Sequence, residues 1–351
     1  MTSAPLPTLM VVPTGIGCAI GGYAGDALPS ARLLAAASGC LITHPNVMNG
    51  AALYWRDPRM HYVEGYSLDR FAAAEWVLRP VRRQRIGLLL DVGIEPELAQ
   101  RQIQVAEGCS ATLGLEIGPV VQTDQPLEVQ LELGASGASS GRIAAPGTLL
   151  RAGERLKQAG ATAIAVVARF PEDPDSEALA AYRQGSGVDA LAGAEAVISH
   201  LLVRHLQLPC AHAPALAPLP LDPALDPRAA GEELGYTFLA CVLVGLSCAP
   251  DLLPAAQAQP GDLLAQQLGA VVAPQGALGG EAVLACLERG VPLISVANPS
   301  LLAVDQAALG LECGVLQASS YSEAAGLLLA LREGLAPAAL TRPVSPLQRL
   351  P

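Results

Sequence analysis

Lysine is almost missing from this chain: of its 21 basic residues only Lys157 is not arginine, against 32 acidic residues. The net charge of −11 and pI near 4.9 exclude nucleic acid as a main partner, because a phosphate backbone calls for clustered Lys and Arg. The one basic cluster, Arg79 to Arg85, reads as a solvated helix end. Long apolar runs are missing too. A membrane helix needs about 18–20 uninterrupted apolar residues, and every candidate here is broken by Gly, Pro or a charge. The start MTSAPLPTLMVVP lacks the basic head of a secretory signal, so the expected setting is cytoplasmic, with no membrane partner. Paired-cysteine patterns are absent: eight cysteines stand singly at 18, 40, 109, 210, 241, 248, 286 and 313, with no C-x-x-C and no Cys/His spacing of zinc type. They are expected to be reduced, mostly buried thiols, and no metal is expected. Aromatics are only 3%, so the 51% apolar content is carried by Ala, Leu and Val. With 15% charged residues and a mean hydropathy of +0.38, a disordered chain is excluded. At 351 residues the chain can bury a sizeable core and form two domains.

What is present is alternation. Short β-branched or apolar runs predict strands over Leu9–Pro13, Cys40–His44, Ile86–Asp91, Ile117–Thr123, Leu127–Leu133, Thr162–Arg169, Leu208–His212, Ala270–Ala273, Leu293–Ala297 and Gly314–Gln317. Helical spacing predicts helices over Leu68–Leu78, Glu97–Ala111, Thr148–Gln158, Ala190–Leu206, Glu232–Leu246, Ala277–Glu288 and Ser322–Arg332. Such alternation implies right-handed βαβ units and largely parallel, buried sheets. The fold class is α/β, with two Rossmann-like, doubly wound lobes. Two breaks stand out. Gly134 to Gly147 is rich in glycine and serine, and reads as an interdomain linker or a ligand-facing loop. Ala213 to Pro227 is proline-rich and predicts an extended surface path. Placing the boundary at the first break divides the chain into lobes 1–145 and 146–351.

The strand ending near Pro13 opens into a loop with Gly15, Gly17, Gly21, Gly22 and Gly25 before a helix. A strand, a glycine-rich turn and a helix N-terminus together make an anion-binding device. The spacing departs from the dinucleotide fingerprint, and His44 ends the second strand where an acidic ribose ligand would be expected. Asp26 reads as a first-turn carboxylate or a ligand group. The second strand exits into Thr43, His44, Asn46, Asn49, Tyr54 and Trp55, at the end where α/β proteins bind ligands. His44 is the candidate general acid or base, with Asp26 or Asp91 orienting it; Asp91 also reads as a helix cap. A second strand–glycine loop–helix unit carries Gly276, Gly279 and Gly280, and Asn298 exits the next strand. Two such loops facing each other would clamp one anion. His200 and His205 lie about 140° apart around a helix and share no face; Asp189 reads as a cap, and Glu195, Ser199 and His200 remain within reach of a ligand.

The blocks PTGIGCAIGGYAGDALP, ITHPNVMNGAALYW, GVDALAGAEAVISHL, PCAHAPAL, EELGYTFLACVLVGLS and APQGALGGEAVLACLERGVP together resemble a family of cyanobacteria and plant chloroplasts known only as a domain of unknown function. The resemblance spans nearly the whole chain. It implies a cytosolic or stromal setting and no established reaction. Members sometimes carry the automatic label lipid-A-disaccharide synthase. GGYAGDAL (Gly21 to Leu28) is similar to that transferase's GEASGD loop, and LACLERGVPLISV (Leu284 to Val296) to its donor site. Where that resemblance implies a ribose-binding Glu, this chain has Ala285, with Glu281 and Glu288 out of place.

The expected function is an enzyme acting on a small anionic, phosphorylated or nucleotide-linked metabolite in an interlobe cleft. The alternatives are a non-catalytic metabolite-binding or regulatory protein and a glycosyltransferase-like activity. The cofactor is left open, as is self-association into a homo-oligomer.

Overall fold

The structure, a computed structural model, describes residues 4–52, 56–233, 238–311, 314–344 and 346. From the N-terminus, β1 (Leu6–Met10) leads through the glycine-rich loop to α1 (Leu28–Ser38), β2 (Gly39–Thr43), α2 (Pro45–Ala52), β3 (Met60–Tyr62) and α3 (Gly65–Ala72). The chain crosses by β4 (Trp76–Arg79) to β5 (Ile86–Leu90), α4 (Pro96–Leu113), β6 (Ile117–Gln122) and the pair β7 (Val129–Leu133) and β8 (Ser139–Ile143). There follow α5 (Pro146–Gln158), β9 (Ala163–Arg169), α6 (Glu177–Arg183), α7 (Ala192–Leu206) and β10 (Cys210–Ala215). It returns by α8 (Pro227–Glu233), α9 (Leu239–Leu246) and β11 (Asp251–Pro254) to β12 (Ala270–Pro274), α10 (Glu281–Glu288), β13 (Leu293–Val296), β14 (Val315–Ala318) and α11 (Tyr321–Arg332).

Two parallel sheets carry this order. The larger runs β14-β13-β12-β1-β2-β3, the doubly wound arrangement in which the winding reverses between β12 and β1. The smaller runs β10-β9-β5-β6 and reverses between β5 and β9. The fold is α/β with two Rossmann-like lobes. The strands do not divide at residue 145, however. The larger sheet takes three strands from each end of the chain, and the smaller takes β5 and β6 before that position and β9 and β10 after it.

Each sheet is buried on both faces, as its unbroken apolar strands require. On one face of the larger sheet, Met10, Leu41, Val272 and Ile294 pack under Leu34 of α1 and Leu328 of α11. On its other face, Leu9, Ile42, Val271 and Leu293 join Phe71 of α3 and Val283 of α10 in a cluster that continues through Ile198 and Leu202 of α7 to Leu89, Ile164 and Val166 of the smaller sheet. One core therefore joins the two lobes. The far face of the smaller sheet, with Leu88, Leu90 and Val167, is covered by Ala106 of α4 and Val242 and Leu246 of α9.

The helix predicted over Glu232–Leu246 is divided between α8 and α9, with Phe238 extended at the start of α9, and further expectations change here. The helix predicted over Leu68–Leu78 ends at Ala72, Ala74 takes φ +60°, and Trp76–Arg79 forms β4 against β11. Trp76, Val77 and Leu78 are all buried, and burial of consecutive side chains suits a strand covered on both faces. The glycine-rich segment after Leu133 is no linker. It turns the β7–β8 hairpin, whose Ser139 hydroxyl donates to Ala190 O (2.8 Å) and accepts from Gly193 N–H (3.1 Å). Any Cβ on Gly193 would run into the Ser139–Ser140 backbone, so small residues on both sides let α7 press onto the hairpin.

Candidate functional site

The leading glycine loop is filled from within the protein. His44 is buried, and its Nε2 accepts from Val12 N–H at 3.0 Å. Burial lowers its pKa to about 4, so at neutral pH the ring is an uncharged acceptor with that nitrogen occupied, and no carboxylate bonds to it among the described residues. Asn46 Nδ2 donates to Gly21 O (2.8 Å) and Val12 O (3.3 Å). Asp26 Oδ1 accepts from Gly21 N–H at 2.5 Å, and burial raises its pKa to about 6 against the pull of that bond and of Arg228. Asn298 clamps Ile20 through both backbone groups (2.9 and 2.8 Å) and donates to the Tyr321 hydroxyl (3.1 Å). Gly15 O accepts from Ser139 N–H (2.8 Å). Gly17 lies against Gly187 and Val188, and Gly22 against the Cys18 carbonyl. His44, Asn46, Asp26 and Asn298 thus converge on one loop as its internal hydrogen-bond partners.

The second glycine loop does not face the first across open space. Residues 298–304 run between them. Ala19 N–H donates to Pro299 O (2.9 Å) and Leu301 N–H to Ile16 O (3.0 Å) on one side; Val304 N–H donates to Gly276 O (2.9 Å) and Leu278 N–H to Val304 O (2.9 Å) on the other. Gly276 and Gly279 make room for Leu302 and Val304, whereas Gly280 is open on its Cβ side. The first N–H groups of α10 also have an internal partner, since Ala282 N–H donates to Asp69 Oδ1 (3.0 Å). The crevice at the switch point of the larger sheet is occupied by the chain's own segment. Tyr54 and Trp55 lie outside the described residues.

Asp91 ends β5 and is buried. It accepts from Gly93 N–H (2.9 Å), Leu127 N–H (3.1 Å) and Arg169 N–H (3.2 Å), tying three loop entries together at the carboxyl end of the smaller sheet. Asn49 accepts from the Tyr62 hydroxyl at 2.8 Å.

At that same end lies a cavity of about 1280 Å³. Ligands of open α/β sheets bind outside the carboxyl ends of the strands at the switch point, and this cavity is lined there by Glu95, Arg169, His212 and Pro214, with Ala24 and Asn49 reaching in from the larger lobe. Asp189, Glu195, Glu232, Tyr182 and His212 meet on its wall. The His212 ring stands with Nε2 3.6 Å from Glu195 Oε2 and Nδ1 3.1 Å from Ser199 Oγ. Ser199 donates to Ala196 O (3.3 Å), which leaves its oxygen to accept from Nδ1–H and assigns the free lone pair to Nε2, facing Glu195. Glu232 Oε1 accepts from Ala24 N–H (2.7 Å), its other oxygen bonds the Tyr182 hydroxyl, and Tyr182 stacks on Tyr23 at 4.3 Å.

Burial, and then the charges of neighbouring carboxylates, push two of these acids above the usual carboxylate range. Asp189 is raised to about 7, by burial first and by Glu195 second, although Leu191 N–H donates to it at 2.9 Å. Glu232 is raised well above the usual carboxylate range by burial and by Asp189. Among the described residues no arginine or lysine forms an ion pair with Asp189, Glu195 or Glu232. The other histidines face single carboxylates elsewhere, His200 on Glu64 (2.9 Å) and His205 on Glu154 (2.6 Å). No group of three or more His, Cys, Asp or Glu among the described residues is arranged to hold a metal ion.

Sequence reasoning raised Asp189, Glu195 and Ser199 but missed Tyr182 and Glu232, which precede and follow them on α6 and α8. The available signal was the EEL sequence after the proline-rich stretch. In the region resembling a donor site, Glu281 is half exposed and pairs with Arg70, so nothing there replaces a ribose-binding carboxylate at Ala285. Calorimetry with UDP-N-acetylglucosamine should show no binding tighter than about 1 mM; micromolar affinity lost on Glu281→Ala would reverse this.

A family model described as a protein of unknown function (DUF3326) matches residues 7–341. A protein of Synechococcus sp. named as an uncharacterized lipoprotein is 55% identical over 342 residues, covering 97% of this chain and 95% of the relative. No described helix is long and apolar enough to cross a membrane.

Proposed function

We propose, from the premise that this chain belongs to the DUF3326 family of unknown function, that the cavity beside β10 is the active site of an enzyme working by general acid–base catalysis on a small molecule. The observation that carries this reading is the meeting of three carboxylates and one histidine on a cavity wall without a balancing arginine or lysine. Titratable groups whose environments push their protonation apart are the usual signature of an acid and a base set side by side. Glu232 retains its proton at neutral pH and serves as the acid. The Glu195–His212 pair, oriented by Ser199, receives a proton at Nε2 and serves as the base. Asp91 is a positioning residue through its bond to Arg169 N–H.

The lining supports an uncharged or cationic ligand over the anionic one expected from the glycine loops. Arg169 is already engaged by Glu95 (3.0 Å) and Glu172 (2.7 Å), and Arg101 by Glu97 (3.2 Å). A phosphate in the cavity would meet the unpaired acids first.

The test is incubation of a metabolite extract with the wild type and with folded His212→Asn, followed by mass spectrometry. A metabolite consumed by the wild type and spared by the variant at least about 100-fold is the expected result. Consumption by both at one rate, or by neither, would overturn the proposal.

A further inference from the structure

We infer that the occupant of the cavity is a cationic amphiphile, an apolar body seated on Leu98, Val105, Leu179, Leu216 and Phe238 with a protonated amine at the Asp189–Glu195–Glu232 end. This rests on the reading of the cavity as the active site and adds the class of substrate. The volume of about 1280 Å³ exceeds the roughly 300–1,000 Å³ of common small-molecule sites, so the occupant is long or branched. Its apolar body follows from the wall. The five apolar side chains come from α4, α6, the proline-rich segment after β10 and the start of α9, and each is only half-buried. Burying them against a hydrocarbon removes apolar surface from water at roughly 25 cal/mol per Å².

The charge of the head follows from the opposite end. Asp189 and Glu232 face Glu195, His212 and Tyr182; Tyr23 stacks behind Tyr182, and Arg228 lies 4.5 Å over the Tyr23 ring but is bonded to Asp226 (3.0 Å). Among the described residues no arginine or lysine pairs with these acids, so without a ligand Asp189 takes up a proton near pH 7. An ammonium group takes the place of the Asp189 proton with a charge that satisfies the ionised form, and that proton appears in solution while Glu232 keeps its own. A carboxylate or phosphate head gains nothing there.

Isothermal calorimetry with decylamine, decanol and decanoate, which share one chain and differ in the head, reads this directly. At pH 8 decylamine is expected to bind at least about tenfold tighter than either of the others, a difference of roughly 1.4 kcal/mol. Its advantage should fall as the pH is lowered through about 7, where Asp189 takes up its proton. Titration at pH 7 in two buffers of different ionisation enthalpy should report proton release with the amine alone. Decanoate or decanol binding as tightly as the amine, or no binding by any of the three, would overturn the inference. The outcome is separable from the catalytic reading, because His212→Asn should still bind decylamine while losing turnover.

Discussion

Glu232→Gln should make the protein harder to unfold at pH 8 while turnover falls by about 10²–10⁴-fold. Glutamine reproduces the protonated carboxyl: its oxygen can accept from Ala24 N–H and its amide can donate to the Tyr182 oxygen, the two partners that Glu232 holds. What it lacks is a transferable proton. The effect on stability follows from linkage. Burial and Asp189 raise the Glu232 pKa in the folded state, so the folded protein binds a proton that the unfolded chain releases. That group's stabilisation is complete below the unfolded carboxyl range, near pH 4, and is lost as the pH rises toward the folded value. The wild type at pH 8 carries this penalty and the glutamine variant does not. Denaturant midpoints should therefore differ most at pH 8 and draw together toward pH 5. A lower midpoint for the variant at pH 8 would mean that Glu232 is ionised and stabilised by its hydrogen bonds, and the acid role would fall with it.

Gly25→Ala should cost on the order of 3–5 kcal/mol, enough to unfold much of a domain whose total stability is roughly 5–15 kcal/mol. Gly25 takes φ +80°, a left-handed conformation unfavourable for alanine, and a Cβ there would overlap the backbone N and Cα of Gly50. Backbone cannot rotate aside as a side chain can. The Gly25 N–H bond to Asn46 O (2.7 Å) fixes the same contact. Gly326, exposed within α11 with nothing near its Cβ side, is the control. Gly326→Ala should raise stability by about 0.5–1 kcal/mol. Guanidinium unfolding of both variants measures the contrast, and equal midpoints would show that the loop can move away from α2. Gly21 belongs with Gly25. At φ +92° and hard against Val12, it spaces the loop, so a valine there would act through the fold and would report nothing about an anion.

Both predictions concern residues that the sequence displayed and whose roles it did not. The glycines after β1 read as a cradle for a phosphate because strand, glycine loop and helix N-terminus are adjacent along the chain. Their partners are not adjacent. Asn298 and Pro299 arrive from nearly three hundred residues away to bond Ile20 and Ala19. His44 had the position expected of a catalytic base, and only the distance to Val12 N–H revealed its lone pair in use. His212, which the sequence left without a role, and Glu195, read only as within reach of a ligand, face each other because β10 lies beside β9 and α7 returns over it.

By itself the sequence determined the alternation of strand and helix, the parallel character of the sheets and the burial of their strands on both faces. Those follow from side-chain periodicity and β-branching, which act over a few neighbouring residues. It also determined the acidic balance that leaves the cavity short of cations. Only the tertiary structure decided which strands share a sheet, that one core joins the lobes, and that Tyr182, Asp189, Glu195, His212 and Glu232 line one wall. The reason is physical: strand order and the convergence of loops depend on which apolar faces cover one another, and that choice is made between segments far apart in the chain.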